Sequence, residues 1–305
     1  MVISYHWVKP SRDFRLSLIV VIGILAMINL KWFSASKRRW RTIALSFVFP
    51  MLCAIQPSIL KAQQVSQVDP KAEGIINHAI EALGGSSYLN VRSVVGRGFY
   101  TAYKEGASQI PARFLDYIVY PDQERTEFTS GGVRVIQTNS GDTGWVFDGA
   151  VKTITDMTPE QIEDFKRSMR TSVENVLRGW WRKESATLSY IGRREAGLAK
   201  RNETVRLTYP NGFWIEYEFG AKDGLPAKAI YKRNRQNPDS GDMEEAIEED
   251  RFAKPITIDG VTAPWVIDHF SNKVQTSRIN YESIEYNQPV ADALFAKPDN
   301  VKSIK

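Results

Sequence analysis

The sequence predicts an α+β fold, mostly β, in which a long, curved antiparallel sheet carries two helices. Beyond residue 93, apolar and polar residues alternate through most of the chain, which is the period of a half-buried strand. Turn dipeptides such as Asn211-Gly212 and Asp259-Gly260 separate these segments and are strong hairpin signals. Within residues 63–305, two segments carry apolar residues at helical spacing, one before the strands and one dividing them into two halves.

Residues 1–62 are predicted to be a targeting leader. The basic run Lys37–Arg41 is followed by an apolar segment, residues 42–60, and then by a small residue, Ala62, at a plausible cleavage site. This order is typical of a secretory signal. We therefore expect a single exported domain, residues 63–305, in the periplasm of the cell envelope.

A second apolar run, Leu16 to Leu30, leaves the leader open to three interpretations. Its roughly 15 residues fall short of the ~20 that a membrane-spanning helix needs. Translation could begin at Met27, the run could be a short anchor, or the whole leader could stay uncleaved and tether the domain. A lipoprotein anchor at Cys53 is disfavoured because the bulky Leu52 precedes it. Cys53 is the sole cysteine, so residues 63–305 contain no disulfide.

Charge excludes nucleic acid as the expected partner. The whole chain carries a net charge of +5, but residues 1–62 alone carry +8 and the remainder carries −3. The basic character therefore belongs to the leader, and the exported domain has no electrostatic footprint for nucleic acid.

The first predicted helix opens the domain. Asp69 is a suitable N-cap, Pro70 suits the first helical position, and Gly84-Gly85 ends the helix. Its apolar face consists of Ile75, Ile76, Ala79, Ile80 and Leu83. Ser86 to Arg92 is predicted to be a short irregular link.

The predicted strands form two meanders of hairpins. Those of the first half are Val94–Lys104, Pro111–Tyr120, Glu124–Thr129, Val133–Asn139, Gly144–Phe147 and Val151–Thr155. Those of the second half are Thr187–Arg193, Thr204–Tyr209, Phe213–Phe219, Ala227–Arg233, Ala246–Ile258 and Val261–Tyr286. The polar stretch Asn234 to Glu245 is predicted to be a hairpin loop.

Side-chain alternation predicts that one sheet face is wet and the other apolar. Glu216 and Glu218 face one way, while Ile215, Tyr217 and Phe219 face the other. Two helices cover only part of the apolar face, which leaves either a well-filled core or a cavity.

The inserted helix is predicted over Thr158 to Arg178. Thr158 and Gln161 form a capping box around Pro159, and Gly179 stops the helix. One apolar stripe follows, at steps of three and four residues: Ile162, Phe165, Met169, Val173, Val176 and Leu177.

The sequence provides no positive case for an enzyme, a cofactor or a metal. His78 and His269 are the histidines of the domain, and a lone histidine on a helix or strand is more often structural. No His/Cys cluster has zinc spacing, and no Gly-x-Ser-x-Gly elbow occurs. An acidic run could offer oxygen ligands to calcium, but a solvated loop and strand edge is favoured because the run lacks the EF-hand order: Asp239, Asp242, Glu244, Glu245, Glu248, Glu249 and Asp250.

Large aromatic residues are the candidate binding residues. Tryptophan and tyrosine suit the mouth of a cavity that holds an acyl chain, because each has an apolar body and a polar tip. An ordinary large core explains the same residues. The candidates for lipid binding are Trp145, Phe147, Phe165, Met169, Trp180, Trp214, Tyr217, Phe219 and Trp265, with Trp181 beside them.

The order of these parts resembles the LolA-like family, the lipoprotein-localisation carriers of the bacterial envelope. The resemblance rests on Ala82-Leu83-Gly84-Gly85 in the first helix, on Gly144-Trp145-Val146-Phe147-Asp148-Gly149, and on the closing stretch Ile284–Phe295 completed by Pro298. That ending is similar to the tail of outer-membrane lipoprotein-sorting proteins. The resemblance implies an unclosed β-barrel with helices as a lid over a hydrophobic cavity. It also implies a functional arginine, for which Arg113, Arg125 and Arg134 are candidates.

These observations lead us to expect a non-enzymatic periplasmic carrier for lipid or lipoprotein acyl chains. Its partners would be a lipid or an acylated lipoprotein. The alternative is an envelope sensor or regulatory module on the same fold, reporting lipid state to a membrane-protein partner. A hydrolase is disfavoured because the nucleophile and base set is missing.

Overall fold

The structure is a computed structural model that describes residues 67–236 and 241–304. The predicted leader and its cleavage site lie outside the described residues. Within these two ranges, no helix has the length and apolar character needed to span a bilayer.

The first half of the chain forms two helices and then a meander. The elements are α1 (Pro70–Ala82), α2 (Ser86–Leu89), β1 (Ser93–Lys104), β2 (Ala107–Ser108), β3 (Ala112–Val119), β4 (Gln123–Ser130), β5 (Val133–Ser140), β6 (Thr143–Asp148) and β7 (Thr153–Asp156).

The inserted helices and the second meander complete the fold. The elements are α3 (Pro159–Thr171), α4 (Val173–Leu177), a 3-10 helix (Trp180–Glu184), β8 (Thr187–Glu195), β9 (Arg201–Thr208), β10 (Trp214–Gly220), β11 (Pro226–Gln236), β12 (Met243–Ile258), β13 (Val261–Ser271) and β14 (Val274–Tyr286). Two 3-10 turns, Asp292–Leu294 and Val301–Ser303, lie in the C-terminal tail.

The strands form one antiparallel sheet of 14 strands that does not close into a barrel. Its order is β7-β6-β5-β4-β3-β1-β14-β13-β12-β11-β10-β9-β8, and β2 pairs with β1 alone. The two meanders meet at the β1–β14 pair, so the first and last strands join the halves. This confirms the predicted curved, unclosed antiparallel sheet.

The prediction for α1 is confirmed at both ends. The carboxylate of Asp69 accepts from the backbone of Lys71 at 2.8 Å, and Pro70 is the first helical residue. Gly84 has a φ of 117°, and a Cβ there would lie 2.0 Å from the carbonyl oxygen of Gly260. Only glycine allows this turn, which presses the end of α1 against the β12–β13 hairpin.

Several predicted boundaries were wrong. Residues 261–286 form two strands, because Asn272 and Lys273 turn the chain at φ values of 49° and 69°. The side chain of Asn272 accepts from the backbone of Ile247, which holds this turn without a glycine. The predicted link after α1 begins with the one-turn helix α2, and strands β11 and β12 extend into the predicted loop over residues 234–245.

The helices cover one face of the sheet, here called the inner face. One large hydrophobic cluster joins α1, α2 and α4 to inner-face residues of both halves of the sheet. A second, small cluster of Ile136, Trp145 and Phe147 lies on the opposite, outer face beneath the C-terminal tail.

The expectation of a wet outer face was wrong at Glu216 and Glu218, which are only 4% and 3% exposed. Arg206 from the neighbouring strand β9 and Arg194 from β8, one strand further, lie over these carboxylates and form ion pairs with them. The side-chain amide of Asn202 also donates to Glu218 at 2.9 Å. Period-two alternation places a residue on a face but does not reveal whether long side chains from adjacent strands cover it.

Candidate functional site

A cleft on the inner face is the candidate binding site. It lies between the loop after α1, the helix α4 and the strands around the β1–β14 pair. Apolar residues form most of its wall: Leu83, Val91, Val94, Val173, Phe252, Val261, Ala263, Pro264 and Ile284. Three tyrosines, Tyr88, Tyr120 and Tyr286, add their rings.

The volume of this cleft is about 30 Å³. A single water molecule needs ~10–15 Å³ of such space, so the cleft can hold about two waters. An acyl chain therefore requires the wall to move. Of the two inserted helices, α4 forms part of this wall through Val173 and Glu174, and α3 does not line it.

Arg178 closes the cleft where α4 ends. Its guanidinium donates to the backbone carbonyls of Tyr88, Leu89 and Val91 at 2.9, 3.2 and 3.1 Å. The same group lies 4.7 Å from the ring centre of Tyr88 and 4.4 Å from that of Tyr120. A cation at the C-terminal carbonyls of α2 and between two rings is well stabilised. Arg178 thereby fastens α4 to the loop after α1.

The cleft tyrosines sit in a dry environment. Burial raises the pKa of Tyr88 to about 12, although the charge of Arg178 acts in the opposite direction. Burial likewise raises the pKa of Tyr286 to about 12. These hydroxyls stay protonated across the physiological range and can donate a hydrogen bond to a ligand.

Helix α3 bridges the two halves of the sheet above the inner face. Its Lys166 pairs with Asp142 in the β5–β6 turn at 2.7 Å, and its Asp164 pairs with Arg233 on β11 at 3.1 Å. The hydroxyl of Tyr217 on β10 donates to the carbonyl of Arg170 at 3.3 Å. The capping box of Thr158 and Gln161 is confirmed. Polar contacts at the ends and edge of α3 therefore hold it across the sheet.

The predicted single helix is broken at Ser172. This residue has extended backbone angles, φ −62° and ψ 149°. Its hydroxyl donates to the carbonyl of Met169 at 2.8 Å and accepts from the amide of Asn175 at 3.2 Å. One side chain thus closes the end of α3 and caps the start of α4, because serine competes for backbone groups. All five residues of α4 are buried.

The structure brings some of the predicted aromatic residues together on the inner face. Tyr217 and Phe219 are buried in the main cluster, Trp265 packs against it, and Trp181 is 1% exposed within it. Trp180 is half-buried and its ring lies 5.5 Å from that of Tyr120 at the cleft. On α3, Phe165 is buried and Met169 is half-buried.

Three other candidates lie on the outer face and away from the cleft. Trp145 and Phe147 pack in the small cluster, where the indole of Trp145 donates to the carbonyl of Phe295 at 2.9 Å. Trp214 is half-buried beneath Arg206, whose guanidinium carbon is 4.9 Å from the ring centre. For these three residues a role in lipid binding remains a sequence prediction.

The candidate arginines also lie away from the cleft. Arg125 and Arg134 both bind the carboxylate of Glu127 on the outer face. Arg113 forms an exposed ion pair with Glu282. The sequence reasoning missed Arg178, whose only signal was a basic residue at the end of a predicted helix.

The inner face also carries buried polar groups. His269 and Asp250 are 5% and 2% exposed, and the His269 Nδ1 lies 2.5 Å from the Asp250 Oδ1. Asp116 is fully buried and accepts from the hydroxyl of Thr126 at 2.7 Å. Burial, together with the nearby charge of Glu124, holds the pKa of Asp116 well above its usual range. Over residues 67–236 and 241–304, no group of three or more His, Cys, Asp or Glu is arranged to hold a metal.

Comparison with known proteins supports the fold. A DUF1329 family protein from Desulfovibrio piger matches with a TM-score of 0.51 at 12% identity, over 74% of this chain and 97% of that chain. An outer membrane lipoprotein-sorting protein domain from Vibrio parahaemolyticus matches at 0.49 and 9% identity, over 74% and 97%. A LolA superfamily protein from Nitrosomonas europaea matches at 0.47 and 15% identity, over 74% and 97%.

The chain has the fold of the DUF1329 family protein. The unclosed, curved antiparallel sheet that the sequence resemblance implied is therefore confirmed. No protein-family model matches the chain, and no curated protein matches it in sequence. Identities this low establish the fold and leave its ligand open.

Proposed function

We propose that this protein is a non-enzymatic periplasmic carrier that binds lipid or lipoprotein acyl chains on the inner face of its sheet. The observation that carries the proposal is the contrast between the surface and its cover. The inner face is apolar and aromatic, whereas side-chain ion pairs at its edge hold α3 above it. Phe165 is the one apolar residue of α3 that is buried, so opening exposes little of the helix's own apolar area.

The energies favour opening when an acyl chain is present. Exposed ion pairs contribute ~0–1 kcal/mol each, and the Lys166–Asp142 pair is of this kind, since Asp142 is 87% exposed. Each methylene group removed from water contributes ~0.8 kcal/mol. A few buried methylenes therefore outweigh such an exposed pair, and a long chain outweighs several such contacts together.

Two substitutions on α3 test whether it is the lid. Phe165→Glu or Met169→Glu places a carboxylate on the side of α3 that faces the protein, where it would be desolvated by a bound chain. We expect either variant to lose uptake of a fluorescent fatty acid and to keep the far-UV circular dichroism of the sheet.

The matched control is Gln161→Glu, which adds a carboxylate on the exposed side of the same helix and preserves the capping box. Uptake by this variant should equal that of the unchanged protein. Normal uptake by both the Phe165 and the Met169 variants would rule out α3 as the lid.

Native mass spectrometry tests the ligand class directly. The full chain is produced with its leader in a Gram-negative host and recovered from the envelope without detergent. We expect co-purified phospholipid or acylated peptide, and a mature mass that begins near Gln63. A protein that is empty and also takes up no fluorescent fatty acid would contradict the carrier proposal.

A second candidate is an envelope sensor or interaction module on the same fold. The small cleft volume of about 30 Å³ favours this candidate, because a filled inner face can serve as an ordinary core. The uptake experiment distinguishes the carrier from the interaction module. A module that acts through protein contacts would bind its membrane partner equally well with Phe165→Glu in place.

A further inference from the structure

A row of buried polar side chains crosses the inner face, although binding an acyl chain requires only apolar side chains there. In register, Asp250 on β12 lies opposite His269 on β13, which lies opposite Ser277 on β14. All three side chains are at most 5% exposed. The next row toward the β11–β12 hairpin is also polar, because Glu248 lies opposite Ser271 and accepts from its hydroxyl at 3.2 Å.

Three atoms of this row lack a hydrogen-bond partner although they are buried: Asp250 Oδ2, His269 Nε2 and Ser277 Oγ. The Asp250 Oδ1 lies 2.5 Å from the His269 Nδ1, so Nδ1 carries the proton and donates it to the carboxylate. With the imidazole neutral, Asp250 Oδ2 and His269 Nε2 are both acceptors, whereas the Ser277 hydroxyl can donate or accept. The pair therefore offers two acceptors to a donor group.

The charged groups around the Asp250–His269 pair indicate which kind of donor it would bind. Asp250 places a carboxyl group beneath α3, where it is 2% exposed. The nearby cation Arg233 is paired with Asp164 of α3 at 3.1 Å. A buried site with acceptors and an acidic group favours a positively charged donor over a neutral or negative group.

The surroundings fix how a ligand would lie. On the other side of the polar row, the aligned residues Phe252, Ile267 and Ile279 are apolar, and Phe252 also lines the cleft. Above the row, Tyr217 and Arg233 contact α3. An alkyl chain in the cleft would therefore place its polar end at Asp250 and His269, beneath α3.

We propose that the Asp250–His269 pair binds the primary ammonium group of an amine-bearing lipid whose chain occupies the cleft. This inference rests on the proposed carrier function and specifies its cargo. The ammonium group has three donors and supplies partners for Asp250 Oδ2 and His269 Nε2. Buried polar atoms without partners are unfavourable, so the ligand removes a cost that the empty protein carries.

The test compares probes that differ only in their polar end. Dodecylamine, dodecanol and dodecanoate are titrated into the full-length protein below their critical micelle concentrations. We expect dodecylamine to bind at least roughly tenfold more tightly than the other two. A second comparison, of lysophosphatidylethanolamine with lysophosphatidylglycerol, shows whether the preferred ammonium group belongs to a phospholipid or to a simple amine.

Two variants test whether the preference for dodecylamine comes from the Asp250–His269 pair. Asp250→Asn and His269→Gln should each reduce the preference for dodecylamine by roughly tenfold and leave dodecanol binding within about twofold. The control is Glu245→Gln, on the same strand but exposed and paired with Lys232. It should retain the full preference.

The outcomes separate this inference from the carrier function. Equal binding of all three dodecyl probes by the unchanged protein would overturn the ammonium site and leave the carrier intact. A preference that survives in both Asp250→Asn and His269→Gln would also overturn it. If no probe binds at all, the carrier function itself fails.

Discussion

Helices α3 and α4 adjoin in the chain, and they differ in what holds them. The main hydrophobic cluster includes Val173, Val176 and Leu177 of α4. Of the described residues of α3, none belongs to that cluster, and ion pairs at Asp164 and Lys166 attach the helix to the sheet. Because hydrophobic burial is the stronger of the two attachments, α4 is part of the core and α3 is its cover.

This difference teaches that a single break can divide one continuous amphipathic pattern into a core helix and a covering helix. Ser172 separates the two helices and satisfies backbone groups of both. Under the proposed carrier function, the break would let α3 move as a unit while α4, fastened by Arg178, stays on the sheet.

The largest expected effect is the loss of core packing at α4. Leu177→Ala removes a side chain that is 3% exposed, so it should lower the free energy of unfolding by about 2–5 kcal/mol. The half-buried Met169→Ala on α3 should cost clearly less. Urea denaturation measures both, with the 99% exposed Leu198→Ala as a control that stays within about 0.5 kcal/mol. Equal losses at Leu177 and Met169 would remove the distinction between the helices.

A pH effect on stability should act through Asp116 on β3, in the sheet rather than in either inserted helix. The pKa of Asp116 is raised by burial and by Glu124, so the folded protein binds a proton that the unfolded chain releases. Stability from this group is present below its ordinary value of 3.8 and falls as the pH rises toward the raised value. Asp116→Asn should flatten this fall in thermal unfolding scans from pH 4 to 8. A variant that loses stability with pH as steeply as the unchanged protein would contradict this account.

Helix caps offer a finer comparison, of about 1 kcal/mol each. Thr158→Ala removes the cap of α3, and Ser172→Ala removes the cap of α4. We expect Ser172→Ala to lower the melting temperature, whereas Thr158→Ala should leave it nearly unchanged and speed the uptake of a fluorescent fatty acid. The reverse pattern would make α4 the mobile part.

The smallest expected effect on stability is at the edge of α3. Arg233→Ala removes the ion pair with Asp164, where Arg233 is 14% and Asp164 40% exposed, and should cost about 1 kcal/mol or less. Its effect on ligand entry should be larger, because the pair closes the lid. Stopped-flow uptake should be faster than in the unchanged protein, and Lys232→Ala, which removes a surface pair with Glu245, should not change it.

The sequence was informative where a local signal determines the structure. Asp69, Pro70 and the capping box at Thr158 and Gln161 mark helix starts because caps act within one turn of the chain. Turns at Asn211-Gly212 and Asp259-Gly260 gave the order of hairpins, and with it the antiparallel sheet.

The sequence was uninformative where distant residues decide. The break at Ser172 lies inside an uninterrupted apolar stripe, and the turn at Asn272 has no glycine or proline. The outer-face position of Trp145 depends on a tail that begins about 150 residues later in the chain. Arg178 acts on carbonyls 87 to 90 residues away, so its role emerges only from the folded structure.

Hydrogen exchange with and without a long-chain lipid tests the central claim most directly. Amide exchange reports the local opening of each helix separately. We predict that lipid accelerates exchange at the amides of Glu160–Thr171 and leaves those of Val173–Leu177 protected. Equal protection of both segments with lipid bound, or loss of protection in both together, would contradict a movable α3 above a fixed α4.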